Sequence, residues 1–132
     1  MKNALFAYKN TEKMTLTEDA SANTVLLVIM DELIKCIEMF QTYIDNKTGN
    51  NEKKSRGFSK SLSIIYTLQS YLDLEKGGAV AGDLFRLYEF ARIHIIRDMR
   101  KGLVERSEEA LRSLKEIYET WVVVNETESA NG

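Results

Sequence analysis

The chain has 132 residues and is 44% hydrophobic, with no proline and seven glycines. That is enough for one domain burying ~65–70% of its unfolded surface, and too apolar for a disordered chain. A net charge of −2 gives no general pull toward nucleic acid or anionic membrane, and a single cysteine, Cys36, forms no internal disulfide and fits a reducing compartment.

Proline-free composition and the periods described below point to an all-α fold. The start, M-K-N-A-L-F-A-Y-K-N, lacks an apolar core long enough for a signal peptide. No apolar run approaches the ~20 residues of a membrane span, so a cytoplasmic protein is expected. Residues 1–20 are mostly polar around an apolar knot of Leu5, Phe6 and Tyr8. They read as a segment tucked onto the body.

Ser21 or Asn23 is positioned to cap the first long helix, which is expected to run to about Asp45. Leu26, Met30, Leu33, Ile37, Phe40 and Ile44 fall at alternating steps of four and three, a heptad seam of the kind bundles use. Core packing accounts for that seam. It does not account for Val25, Leu27, Val28 and Ile29 together, which make the start of this helix apolar nearly all round. Cys36, beside the seam and without a basic partner, reads as a buried inert thiol.

Asn46 to Gly57 is the most polar interior stretch and marks a linker. A second helix starts either at Asn51, with Gly57 inside it at a cost of ~1 kcal/mol against alanine, or near Phe58, and runs to about Asp73. Lys53, Lys54 and Arg56 read as a solvated helix start. Phe58, Leu62, Ile65, Gln69 and Leu72 form one stripe; Ile64, Leu68 and Tyr71 form another. Two stripes call for two neighbours.

Gly77-Gly78 breaks the pattern and suits a corner, with Asp73 and Glu75 read as caps and loop charges. The third helix carries Val80, Leu84, Leu87, Ala91 and Ile95 on one face. Phe85, Tyr88, Ile95 and Met99 make a second stripe, and Phe90 and Ile93 a third. Arg97, Arg100 and Lys101 suit the negative end of its dipole, and Gly102 a left-handed stop. His94, the one histidine, reads as a surface or interface residue. No metal set forms around it, so no cofactor is expected. Ser107-Glu108-Glu109 opens the fourth helix, with Ala110, Leu114, Ile117, Trp121 and Val124 as its seam. No phosphate loop, Ser-His-Asp set or Cys-x-x-Cys occurs, so no enzyme is expected. The expected architecture is an antiparallel up-down four-helix bundle over 21–125, with an N-terminal cap segment, 1–20, and a flexible tail, 126–132.

The run from Leu72 to Tyr88, L-D-L-E-K-G-G-A-V-A-G-D-L-F-R-L-Y, resembles the Leu-Asp-x-Glu-x-Gly-Gly-x-(Ile/Val)-Ala-x-x-Leu-x-x-Leu-Tyr signature of the flagellin-specific export chaperones of the bacterial flagellum. Ala7-Tyr8 is similar to the Ala-Tyr near that family's N-terminus. Asp31 matches the aspartate of its first helix, while Ala22, Met30 and Glu32 replace the usual proline, tyrosine and glycine. The resemblance implies a chaperone that binds the disordered C-terminal region of flagellin in hydrophobic grooves. It thereby blocks premature polymerisation and supports type III export. The resemblance also brings delivery to the cytoplasmic domain of the export gate and, in some members, contact with an anti-sigma factor or co-chaperone. No nucleic acid and no membrane insertion enter this picture. Apolar surplus beside the matched motifs selects Val25, Val28, Ile29, Leu68, Tyr71, Leu72, Val80, Leu84, Leu87 and Tyr88 as client-binding residues, with Phe6 and Tyr8 as a displaceable cap. The alternative is a non-enzymatic adaptor or scaffold that self-associates through its apolar stripes.

Overall fold

The computed structural model describes the backbone of residues 20–45 and 50–131 and the side chains of 24–45 and 50–127. Within them run four helices: α1, Ala20–Thr42; α2, Asn51–Ser70; α3, Gly78–Lys101; and α4, Ser107–Asn131. Phe6 and Tyr8 lie outside the described residues.

α1 is the organising element. Its whole predicted seam, Leu26, Met30, Leu33, Ile37, Phe40 and Ile44, is buried, each side chain contributing ~1.5–3 kcal/mol of gross burial. It packs on α2 on one side and α4 on the other, and α3 closes the ring against both. Cross-links give the register. Lys60 of α2 approaches Glu32 of α1 at 3.7 Å. Gln41 of α1 donates to the Ser107 hydroxyl at 3.0 Å, and Lys115 reaches Glu38 at 2.8 Å. Gln69 of α2 donates to Glu89 of α3 at 3.2 Å. Positions rise on one helix as they fall on its neighbour, so this is the antiparallel up-down four-helix bundle.

The closest approach is between α1 and α2. Gly57 is buried mid-helix, and a Cβ there would stand 2.7 Å from both the Cys36 carbonyl oxygen and the Phe40 nitrogen. One turn on, buried Ser61 folds its hydroxyl back onto the Gly57 carbonyl at 2.6 Å. α2 does start at Asn51, with Asn50 as its cap: Oδ1 accepts from the Lys53 N–H at 3.0 Å. Ser21 and Asn23 lie inside α1 rather than at its cap, because the helix is already running at Ala20.

Asp73 shapes the α2–α3 corner. Its carboxylate accepts from the Lys76 N–H at 2.9 Å and its carbonyl from the Gly77 N–H at 2.8 Å, while Gly78 takes a φ of +54°. The third helix therefore starts without a side-chain cap. Gly102 provides the expected left-handed stop, at φ +73°, its N–H bonded to the Asp98 carbonyl. The Asp98 side chain, 1% exposed, then accepts from the N–H groups of Glu105 and Ser107 at 2.8 and 3.1 Å. A carboxylate from the end of α3 thus satisfies the start of α4. The Ser107 hydroxyl turns to Gln41 of α1. α4 runs to Asn131, so Trp121 lies mid-helix.

The inward face of α3 is Ala81, Leu84, Tyr88, Ala91 and Ile95, shifted from the predicted stripe so that Val80 and Leu87 become half-buried flanks. His94, expected at the surface or at an interface, is buried. Its ring sits 4.4 Å from that of Phe90, and the Arg106 guanidinium lies 5.1 Å from the Phe90 ring centre. Burial, then Arg106 and Arg97, push the His94 pKa below 6.5, outweighing Asp98 and Glu109. Unfolding therefore takes up a proton between the folded pKa and about 6.5. This contribution to stability is complete above that window and is lost as pH falls through it. Urea midpoints at about pH 7.5 and pH 5 should differ less in His94→Phe than in the parent; an equal difference would remove His94 from the acid response.

Candidate binding surface

The up-down topology puts the start of α1, the end of α2, the start of α3 and the later part of α4 at one end of the bundle. Among the described residues, eight large hydrophobics are exposed, and six of them fall in that half: Val25, Val28, Tyr66, Leu74, Phe85 and Val123. Val28 is 63% exposed and Tyr66 73%. Single exposed apolar residues are ordinary; a concentration on every helix at one end marks an interaction surface.

The register resolves two parts. Beyond the Glu32–Lys60 pair, one turn along each helix, Val28 comes level with Ile64, and Val25 with Thr67, one turn before Tyr71. Ile29, Ile64 and Tyr71 are half-buried there against the core, giving an apolar shelf between α1 and α2. The second part lies along α2 and α3, where Tyr66 and Phe85 flank a polar clasp. Gln69 donates to both the Phe85 carbonyl, at 3.4 Å, and Glu89. Arg92 grips both Glu89 oxygens at 2.7 and 2.8 Å. Arg92 first, then Gln69, holds the Glu89 pKa down to about 2. The clasp stays charged, and Gln69 ties α2 to α3 through it.

Of the predicted residues, Val25 and Val28 are exposed and Ile29 and Tyr71 half-buried beside them. Val80 and Leu87 are half-buried on the α4 side of α3, on the edge that continues to Phe90 and His94, and so stand apart from the α1–α2 shelf. Leu68, Leu72, Leu84 and Tyr88 are core residues, between 0 and 9% exposed. Their side chains pack between the helices in the core. Cys36 is buried as expected, with burial first and Glu32 next raising its thiol pKa. No group of His, Cys, Asp and Glu among the described residues could hold a metal ion, and no described helix is long and apolar enough to cross a membrane.

The family model described as flagellar protein FliS matches residues 1–128. The chain belongs to the FliS family. It is 27% identical over 121 residues to the flagellar secretion chaperone FliS of Vibrio cholerae serotype O1, a match covering 92% of this chain and 88% of that protein. No solved structure matches it.

In this FliS-family chain the signature run is largely scaffolding: Asp73 and Gly78 make the corner, while Leu72, Ala81, Leu84 and Tyr88 fill the core. Tyr66, Leu74, Phe85 and Val123 were not singled out from the sequence as surface residues. Two had a readable signal. Tyr66 is the lone aromatic on the outer face Ser59, Ser63, Ser70, and Val123 the lone aliphatic on the acidic face Glu116, Glu119, Glu126. A large apolar side chain on an otherwise polar helix face has no core to serve. Trp121, the chain's one tryptophan, is fully buried in the same half, and its indole N–H has no hydrogen-bond partner among the described residues.

Proposed function

We propose that this flagellar secretion chaperone holds the C-terminal region of flagellin on the apolar end of its bundle, keeping the subunit from polymerising before export. The observation that carries the reading is the crowding of exposed apolar side chains into one half of a FliS-family bundle. A disordered client folding onto that end would bury Val25, Val28, Tyr66 and Phe85, and exchange water for apolar contact on several helices at once. The polar clasp at Gln69, Glu89 and Arg92 offers hydrogen-bonding groups between apolar anchors. Residues 1–20, with Phe6 and Tyr8, act in this proposal as a cover that the client displaces. Delivery to the cytoplasmic domain of the export gate follows from the same reading.

Titration calorimetry with a flagellin C-terminal peptide tests it, with Trp121 fluorescence as a second signal. Saturable binding is expected, weakened about ten- to a hundredfold, or ~1.4–2.7 kcal/mol, by Val28→Asp or Tyr66→Ala. Removal of residues 1–10 should change the affinity; an unchanged value would eliminate the cover. Absence of saturable binding to every flagellin of the same organism would end the proposal. A stable dimer that ignores flagellin would replace it with the self-associating scaffold.

A further inference from the structure

Two exposed large hydrophobics lie away from the apolar end: Ile93, 38% exposed, and Leu103, 48% exposed. They share the opposite end of the α3–α4 side with exposed arginines. Ile93, Arg97 and Arg100 follow one another at steps of four and three, so they form one outward stripe on α3. Lys101 is paired with Glu105 and Arg106 with Glu109, whereas Arg97 and Arg100 form no ion pair among the described residues. Attraction to the end of the helix dipole accounts for Arg100 and Lys101 in the last turn. It does not account for Arg97 a turn earlier, for the repulsion between two guanidiniums three residues apart, or for the apolar neighbours. On the neighbouring face of α3 stand the Phe90–His94 ring contact and Arg106 laid over Phe90.

The geometry points to a second docking surface here, formed by Ile93, Arg97 and Arg100 and fitted to an acidic amphipathic helix of a partner protein. The partner helix presents two carboxylates and then an apolar residue at steps of three and four, running antiparallel to α3. Charge complementarity selects this occupant, since two free guanidiniums beside an aliphatic side chain match paired acids beside another. A second copy of the chain also carries the pattern, in Glu116, Glu119 and Val123 of α4. Its placement argues against it. Within one protomer the start of α4 is held level with Asp98, so antiparallel Val123 comes level with about Gly82, about eleven residues or roughly 16 Å down the bundle from Ile93. A copy seated by Val123 on Ile93 is displaced along the axis and leaves its own stripe open, giving an unclosed chain of copies rather than a dimer. An anionic membrane is a poorer match still, because Glu105 and Glu109 stand among the basic groups.

The probe is an alanine-based helical peptide with Glu, Glu and Leu at that spacing, alongside a control with both Glu replaced by Gln. Anisotropy should show saturable binding of the acidic peptide only, weakened about tenfold or more by Arg97→Glu with Arg100→Glu, and weakened by added salt. Ile93→Ala should weaken it several-fold, while Val28→Asp leaves it unchanged. Binding should persist with the flagellin peptide already bound, so its loss is distinguishable from failure of the client proposal. Equal binding of the Gln control, or no effect of the arginine reversals, would overturn the inference. So would scattering mass that grows with concentration and is abolished by Arg97→Glu, or arginine-dependent binding to vesicles of phosphatidylglycerol and phosphatidylcholine in equal parts without peptide binding.

Discussion

Valine in place of Gly57 is expected to cost about 3 kcal/mol or more, a large share of the ~5–15 kcal/mol that keeps a domain of this size folded. A Cβ at this position meets backbone, not the yielding tip of a side chain: 2.7 Å to the Cys36 oxygen and to the Phe40 nitrogen. Relief requires α1 and α2 to separate, and the seam residues on both sides of the contact lose their packing together. Alanine is the sharper test. In a free helix it would gain ~1 kcal/mol over glycine; here it should lose ~1–3 kcal/mol. Gly82 is the internal control. It too lies within a helix, near the start of α3, but a Cβ there meets only the end of the Arg86 side chain, at 3.5 Å, so Gly82→Ala should stabilise by about 0.5–1 kcal/mol. Urea unfolding followed by far-UV dichroism reads both. Equal gains at the two positions would mean that α1 and α2 are not in close contact at Gly57.

That pair of glycines shows what a sequence conveys and what it withholds. Periodicity reports angle around a helix, so the six predicted seam residues, five on α1 and Ile44 just past its end, were legible and all six are buried. It does not report the distance between helix axes. Gly57 accordingly read as a tolerated cost, when it is the point of closest approach. Angle also fails where two stripes differ by one residue. Val80 and Leu87 looked like the seam of α3 because they are larger than Ala81 and more apolar than Tyr88. Yet it is Ala81 and Tyr88 that are fully buried. At the candidate surface, Val25 and Val28 were legible as apolar surplus on a helix whose seam was already complete. Leu68, Leu84 and Tyr88 were drawn in by their place in or beside a recognisable motif, and that motif proves to be mostly corner and core. His94 was misplaced because its cover, Arg106 and the Phe90 ring, depends on how α4 returns against α3.

Asp98 is the least legible of the residues that matter, and its removal carries the second large effect. It stands in a charged run, Arg97-Asp98-Met99-Arg100-Lys101, where an acid looks like ordinary surface. Instead the carboxylate turns inward and takes the N–H groups of Glu105 and Ser107, seven and nine residues ahead. Asp98→Ala leaves both donors without that acceptor, the Ser107 N–H buried and the Glu105 N–H partly so, where no other described side chain replaces it. The expected loss is about 2–4 kcal/mol. Asn retains an oxygen of the same reach and gives up only the charge, so Asp98→Asn should cost nearer ~1 kcal/mol. Ser107 separates this from a general effect of loosening the loop. Its hydroxyl is held by Gln41 of α1, so Ser107→Ala breaks one interhelix bond, worth ~1 kcal/mol, while leaving the carboxylate bonds in place. If Asp98→Ala is less stable than Asp98→Asn, and Ser107→Ala lies near Asp98→Asn, the carboxylate is identified as the tie between α3 and α4. Equal losses for Asp98→Ala and Asp98→Asn would assign the effect to the buried charge itself rather than to the two bonds it accepts. That tie also fixes where α4 begins, and so whether Arg106 reaches Phe90; the acidic peptide should therefore bind Asp98→Ala more weakly than Asp98→Asn.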